Sequence, residues 1–226
     1  MSDRFGLGAI QSPPDARDYP VSALYAAAGI QPVTTFAPRL VRTPMPGVIN
    51  QGTTPQCVAY ASAGVKAWQD MRDQHTAIDA FDEAAFFAGI GGSDNGAIPR
   101  NALSYLLHTG YPIKRHPELA SQHRIAAYYA VPVSIPDIKS AIQAFGPLLL
   151  AVDWATSWFE PLPNGKLPAP DKSAGGHAIY AWGWDDRIGL LLRNSWDGWG
   201  MNGNCYLPYA YLGRVWEAWR TQDVIE

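Results

Sequence analysis

The stretch VINQGTTPQCVAYASAGVKAW (Val48–Trp68) places one of only two cysteines directly after a turn-rich loop and at the start of an amphipathic run. Apolar residues follow at spacings of four, three and three, at Ala61, Val65, Trp68 and Met71. This spacing predicts a helix over residues 57–75. Free N–H groups and the helix dipole at such a start stabilise a thiolate, which makes Cys57 a candidate nucleophile. The alternative is a buried, inert thiol, because free cysteine is among the most buried residue types.

A nucleophilic cysteine needs a base, and the base needs a group that orients it. The segment GGHAIYAWGWDD places His177 at the start of a predicted strand, after Gly175 and Gly176, which allow another backbone to approach closely. The segment LLRNSWDGWG places Asn194 at the end of the next predicted strand. The two strands predict a β-hairpin that lets Asn194 accept the imidazole N–H, with Trp196 excluding water from that hydrogen bond. A purely structural histidine is the alternative.

Gln51 lies six residues before Cys57 on the same loop. The oxyanion of a tetrahedral intermediate needs hydrogen-bond donors aimed at it. The side-chain amide of Gln51 and the backbone N–H of Cys57 can supply two of them, whereas on its own Gln51 is equally consistent with a surface loop. We therefore predict a catalytic set of four residues: Cys57, His177, Asn194 and Gln51.

The order of the remaining elements indicates an α+β fold, because helical patterns dominate the first half and strand patterns the second. Further helices are predicted over residues 21–29, 82–90, 99–108 and 134–146, and strands over residues 125–133, 147–153, 177–184, 188–195 and 204–209. We expect an extended arm over residues 1–47, a helical lobe over about 48–125 and a β lobe over about 126–226. The site then lies in the cleft between the lobes.

Composition excludes several classes of function. The chain has 226 residues, of which 47% are hydrophobic and 16% charged, as in globular proteins. A net charge of −3 without a basic block argues against a nucleic-acid partner, and no apolar run approaches the ~20 residues that span a membrane. His116 and His123 lack neighbouring metal ligands, so we expect no metal and no cofactor. Two cysteines and no visible signal peptide favour a cytoplasmic location, and the sequence does not give the oligomeric state.

Three blocks resemble the papain-like cysteine peptidases of the C1 family, in particular its compact prokaryotic and viral members. They are INQGTTPQCVAYAS around the cysteine, GGHAIYAWGWDD around the histidine and RNSWDGWGMNGNCYLPYAYL around the asparagine, and the resemblance extends over about residues 8–213. It implies a helical left lobe, a β right lobe and a substrate groove between them. It also implies that Cys57 is the nucleophile and His177 the general acid and base, with the other two residues in the roles given above.

The resemblance further implies that the glycine-bearing loop at residues 91–97 pairs with the substrate backbone. Asn95, Gly96, Gly176 and Trp196 are the substrate-binding candidates. The chain departs from the family at Val58, which stands where a tryptophan is usual, and by the absence of a helical inhibitory propeptide. Three interpretations then stay open: regulation is absent, the arm over residues 1–47 supplies it, or the domain is not used for catalysis.

The expected function is that of a thiol endopeptidase acting on peptides or proteins. Two alternatives stay open at this point. One is a non-catalytic papain-like domain used for binding or assembly, for example in a phage particle. The other is a hydrolase of cell-wall peptide cross-links or isopeptides.

Overall fold

The computed structural model describes residues 5–72 and 81–224. The helices are α1 (Val21–Ala27), α2 (Cys57–Arg72), α3 (Glu83–Gly89), α4 (Pro99–His108) and α5 (Ile135–Phe145), with 3₁₀ turns over Pro117–His123, Thr156–Phe159 and Tyr209–Arg214. The strands are β1 (Arg39–Val41), β2 (Ile125–Val131), β3 (Leu148–Ala155), β4 (Ser173–Asp185), β5 (Gly189–Arg193), β6 (Asn204–Leu207) and β7 (Val215–Asp223).

Helices α3 and α5 begin directly after residues that cap them. The Asp82 carboxylate accepts the Ala85 N–H at 3.0 Å, and the Ser134 hydroxyl accepts the Asp137 N–H at 3.2 Å. Both caps satisfy amides that have no partner inside the helix. The predicted bounds of α4 are confirmed, and α2 is confirmed as far as Arg72, since residues 73–75 lie outside the described part of the chain.

The strands form one antiparallel sheet in the order β2-β7-β3-β4-β5-β6, and β1 adds to β4. In β4 and β5, Tyr180 lies opposite Arg193, which confirms the predicted hairpin between His177 and Asn194. The pattern did not predict β1 or β7. β7 carries charged residues that usually avoid a sheet interior, and one of them, Asp223, is buried because Lys66 pairs with it at 2.8 Å.

The sheet has a buried core on each face. Ala178 and Tyr180 of β4 belong to the cluster with helices α2, α3 and α4, whereas Ile179 and Ala181 belong to the cluster with α5. This alternation is the period of two expected for a strand buried on both faces. The α+β class with a helical and a β lobe is therefore confirmed, and the site lies where the two lobes meet.

Helix α2 is the element that joins the lobes. At Gly64 it lies so close to the sheet that an added Cβ would be 2.3 Å from Cε1 of Tyr180. Lys66, two residues later, is buried and its Nζ contacts Asp70 at 2.6 Å and Asp223 at 2.8 Å. The close packing at Gly64 brings the first turn of α2 against β4. No helix in residues 5–72 and 81–224 is both long and apolar enough to cross a membrane.

Candidate active site

Cys57 is the first residue of α2 and is fully buried. Its Sγ accepts a hydrogen bond from the backbone N–H of Ala178 at 3.3 Å. Because Ala178 follows His177, this contact brings the first turn of α2 against β4 beside His177. The strand begins at Ser173, so His177 lies within it and not at its start as the sequence predicts. Cys57 and His177 are 120 positions apart in the sequence, and the packing of α2 on the sheet places them at one site.

His177 and Asn194 form the hydrogen bond that the hairpin predicts, with 2.8 Å between Nε2 and Oδ1. The Trp196 ring stacks on the imidazole, with centroids 4.5 Å apart, and the edge of Trp154 approaches it at 4.9 Å. All four side chains are buried. In the described part of the chain, Nδ1 of His177 has no hydrogen-bond partner. The hydrogen bond to Asn194 thus engages one ring nitrogen of the imidazole and leaves the other without a partner.

Gln51 is buried at the start of the loop that leads to Cys57. Its backbone N–H donates to the carbonyl of Ser195 at 2.9 Å, which ties the loop to the segment that carries Asn194. Its side-chain Nε2 donates to Thr54 O at 2.8 Å and to Gly6 O at 3.1 Å. The amide predicted to hold an oxyanion thus binds a carbonyl of the chain's own N-terminal arm.

The N-terminal segment of residues 5–10, here called the plug, lies across the site. The N–H groups of Gly8 and Ala9 both donate to Gly176 O at 2.9 Å. On the other side, Ile10 N–H donates to Ala97 O at 2.9 Å and Ala97 N–H donates to Gly8 O at 2.8 Å, which forms a parallel bridge. The plug is therefore held between β4 and the loop before α4 by backbone hydrogen bonds.

Glycines on both sides of this contact allow the backbones to approach. A Cβ at Gly96 would lie 1.7 Å from Gly8 O, and a Cβ at Gly176 would lie 1.9 Å from Ala9 O. Within the plug, a Cβ at Gly6 would lie 2.0 Å from Thr54 O, and a Cβ at Gly8 would lie 2.3 Å from Pro55 O. The close approach of another backbone that the sequence indicates at Gly176 is thus made by the chain itself.

Of the predicted substrate-binding residues, Gly96, Gly176 and Trp196 line the groove that the plug fills. Asn95 is exposed, and its N–H contacts Ser93 Oγ at 3.3 Å within the loop. Ala97, which sequence reasoning missed, makes two backbone hydrogen bonds to the plug. Since it acts through its main chain, its side chain carries no signal of that contact.

Burial decides the charge state of the site when the plug is in place. It raises the pKa of Cys57 to about 12, although backbone amides, among them those of Ala178 and Gly8, partly offset this. It lowers the pKa of His177 to about 4, with the Asn194 hydrogen bond opposing the shift. The thiol and imidazole are therefore both neutral across the physiological range. Burial therefore opposes the thiolate that the helix start favours, because desolvation of the sulfur outweighs the local amides.

No protein-family model matches the chain. The structure is similar to that of xylellain, a cysteine protease from Xylella fastidiosa, with a TM-score of 0.83 and 22% sequence identity over 99% of both chains. This is the papain-like fold of cysteine proteases. The papain-like fold is also found in a cysteine protease of Carica candamarcensis solved in complex with E-64, with a TM-score of 0.62 and 16% identity over 83% of this chain and 99% of that one.

A curated relative from Blomia tropicalis has the name cysteine protease. It is 26% identical to this chain over 192 residues, which cover 73% of the chain. The chain spans 56% of the length of that relative.

Proposed function

We propose that this protein is a papain-like cysteine endopeptidase that uses Cys57 as nucleophile and His177 as general acid and base. The observation that carries the proposal is the His177–Asn194 hydrogen bond of 2.8 Å beneath Trp196, beside a cysteine at a helix start. A structural histidine would not need an amide oxygen on Nε2 and a second ring nitrogen without a partner. That pattern fits an imidazole that is held in one tautomer and left free to move a proton.

The chemistry follows from these positions. The Cys57 thiol gives its proton to His177, and the thiolate Sγ attacks the carbonyl carbon of the scissile peptide bond. The resulting oxyanion accepts hydrogen bonds from the Gln51 amide and the Cys57 N–H. His177 gives its proton to the leaving nitrogen, the C–N bond breaks, and a thioester remains on Cys57. His177 then takes a proton from a water molecule that attacks the thioester. This step releases the acid and restores the thiol and imidazole.

Substrate enters this site only after the plug leaves, because both use the same groups. Gln51 Nε2 bonds the Gly6 carbonyl, and Gly176 O accepts the amides of Gly8 and Ala9. Gln51 is the oxyanion donor of the proposed mechanism, and Gly176 is one of the residues proposed to bind the substrate backbone. The plug is thus a competitor that is tethered to the enzyme, and the described structure is the closed state.

The direction of the plug explains why the enzyme does not cleave it. In the proposed mechanism the leaving nitrogen lies beside His177 and Trp196. The plug places Phe5 on Trp196, at a centroid distance of 4.7 Å, and continues from there to Ala97. The nitrogen attached to the Gly6 carbonyl belongs to Leu7, on the Ala97 side. It therefore points away from the acid that would have to protonate it.

Only a short part of the arm has to move for opening. Arg100 holds the chain just after the plug, since its N–H contacts Ser12 Oγ at 3.2 Å and its Nε contacts Asp18 Oδ1 at 2.9 Å. Ser12 N–H also donates to Glu217 at 3.0 Å. Residues 5–10 can therefore swing from a fixed point near residue 12 while the rest of the arm stays in place.

The decisive test is the pH dependence of Cys57 alkylation in the full chain, measured by peptide mass mapping for wild type and His177→Ala. Reagent reaches Cys57 through the open state, where a thiolate paired with imidazolium reacts well below the ordinary thiol pKa of ~8.5. We expect His177→Ala to lose this low-pH reactivity, with buried Cys205 as the internal control. If both proteins show the same profile, Cys57 is not part of a catalytic pair.

Hydrolysis separates the remaining alternatives. We expect cleavage of casein that is absent in Cys57→Ser. Digestion of purified sacculi without cleavage of casein would instead identify a cell-wall cross-link hydrolase. A non-catalytic binding domain would cleave neither substrate and would show an ordinary thiol profile at Cys57.

A further inference from the structure

Trp154 is a fully buried indole that contacts the proposed base from the middle of the sheet. It lies in β3, between β7 and β4, where the register places it opposite Gly175 and places Val152 opposite His177. Directly opposed residues share a face of a sheet, and so do residues two apart in one strand. Trp154 and His177 are therefore diagonal neighbours on one face, with 4.9 Å between their ring centroids.

The same indole contacts the ring that covers the imidazole. Its centroid is 5.3 Å from that of Trp196 at an interplanar angle of 87°, and 5.7 Å from that of Trp199 at 52°. Trp196 and Trp199 belong to residues 194–203, which lie between β5 and β6 and form no helix or strand. Offset stacking tolerates a range of ring positions, so a ring on such a segment could slide over the imidazole. An indole on a central strand, set across both rings, opposes that movement.

Trp154 is itself held in place from behind. The fully buried ring of Trp158 meets it at 5.3 Å and 85°, and the Trp158 indole N–H donates to the carbonyl of Pro168 at 3.0 Å. In the part of the chain that the structure describes, Nε1 of Trp154 has no hydrogen-bond partner. A tryptophan here therefore costs the fold a buried, unpaired N–H, which a phenylalanine would not. Packing of the core alone does not account for that choice of residue.

The charge of His177 is not stabilised by a neighbouring carboxylate. Its Nε2 contacts the neutral amide of Asn194 at 2.8 Å. Asp153, also on β3, lies on the opposite face of the sheet and pairs with Arg214. In the proposed mechanism, the group that stabilises the imidazolium is the thiolate of Cys57. The strength of such a pair depends on the distance and direction between its members, so the orientation of the imidazole decides it.

We propose that Trp154 is a positioning residue for the proposed acid and base. It holds His177 and Trp196 in one arrangement, in which the imidazolium and the Cys57 thiolate pair at full strength. This inference rests on the proposed peptidase function and adds a residue that acts only through His177. Loss of the indole should therefore weaken the ion pair rather than the contacts of the plug.

The test is the ratio of the Cys57 alkylation rates by iodoacetamide at pH 6 and pH 10 in the full chain. At pH 6 the reactive form is the open ion pair, which needs the imidazolium, whereas at pH 10 the thiolate forms without it. A change in plug opening alters both rates by the same factor and leaves the ratio unchanged. We expect Trp154→Leu to lower the ratio roughly tenfold, which corresponds to about half the contribution of a hydrogen bond between charged groups.

Trp158→Leu is the matched control, because it removes the same side chain from the same group of rings. The ring contacts of Trp158 are with Trp154 and Tyr211, so its ratio should equal that of wild type. Trp154→Phe keeps a ring and should lower the ratio by only about threefold. If alkylation of Cys205 shows that the leucine variants do not fold, Trp154→Phe carries the test, with Trp158→Phe as its control.

The outcomes separate this inference from the proposed function. If wild type reacts at pH 6 but the Trp154 variants keep its ratio, or the Trp158 variants lower it equally, the positioning role is wrong and the catalytic pair stands. If the ratio falls only in the Trp154 variants but wild type cleaves no peptide, the peptidase proposal fails and the positioning role stands. If wild type reacts like His177→Ala at both pH values, the ion pair does not form and both proposals are wrong.

Discussion

Gly8→Ala should expel the plug and expose the nucleophile. An added Cβ would lie 2.3 Å from Pro55 O and 2.9 Å from Pro55 C, both backbone atoms that cannot rotate away. The plug must shift, and at least two hydrogen bonds weaken: Gly8 N–H to Gly176 O at 2.9 Å and Ala97 N–H to Gly8 O at 2.8 Å. Each hydrogen bond contributes about 0.5–1.5 kcal/mol net, so the free energy that favours the closed over the open state falls by about 1–3 kcal/mol. The open population then rises by roughly 5- to 150-fold.

The rate of Cys57 alkylation by iodoacetamide measures this population. When opening and closing are faster than the reaction, the rate is proportional to the open fraction, so the ratio of variant to wild type gives the change in free energy directly. Gly47→Ala is a matched control, because an added Cβ there meets nothing within 4 Å. Cys205, which is buried in the core, reports any general loss of structure.

Three outcomes would refute the reasoning. Equal Cys57 rates in Gly8→Ala and wild type would mean that the plug does not limit access. An equal increase in Gly47→Ala would mean that any change in the arm has the same effect. Rapid alkylation of Cys205 in Gly8→Ala would mean that the variant unfolds rather than opens.

Other consequences of the structure can be checked in the same protein. Gln51→Ala should lower kcat by about 10²–10³ because it removes an oxyanion donor, as steady-state kinetics with casein-derived peptides would show. Because the closed state holds the pKa of His177 at about 4, below its ordinary value near 6.5, the open state binds the extra proton, and lowering the pH from 7 to 4 should favour opening. Hydrogen exchange of the plug amides, corrected for intrinsic rates, should then show less protection at pH 5 than at pH 7. Lys66→Met should destabilise the fold by about 3–5 kcal/mol in urea denaturation, because Asp70 and Asp223 would remain buried without their cation.

Local sequence signals account for the parts of the fold that were predicted. Helix α4 has proline at its first position and Gly110, with φ of +93°, just beyond its end, so both bounds follow from backbone chemistry. The His177–Asn194 contact follows from a hairpin, in which the register places the end of β5 near His177 within β4. In each case the deciding residues lie within about twenty positions of one another in the sequence.

The plug could not be predicted in this way. Its contacts join residues 5–10 to Gln51, Ala97 and Gly176, and nearly all of them are made by the backbone. The sequence FGLGA carries no periodic pattern, and the glycines indicate only that something approaches closely. Strand β7 was missed for a related reason, since its buried Asp223 becomes acceptable in a sheet only through Lys66, 157 positions away.

The plug also affects the balance between the thiol and thiolate forms of Cys57, because burial opposes the thiolate that the helix start favours. Amides of Ala178 and Gly8 do face the sulfur and lower its pKa, as expected at a helix start, but the same Gly8 belongs to the segment that excludes water. The plug thus supplies a hydrogen-bond donor and removes the solvent that would stabilise a charge. Under the proposed function, its departure would reverse the larger of these effects, and Cys57 and His177 would then ionise as a pair. In the proposed mechanism, access and nucleophile strength are therefore controlled by one movement, and a substrate that displaces the plug would meet a cysteine that becomes reactive in the same step.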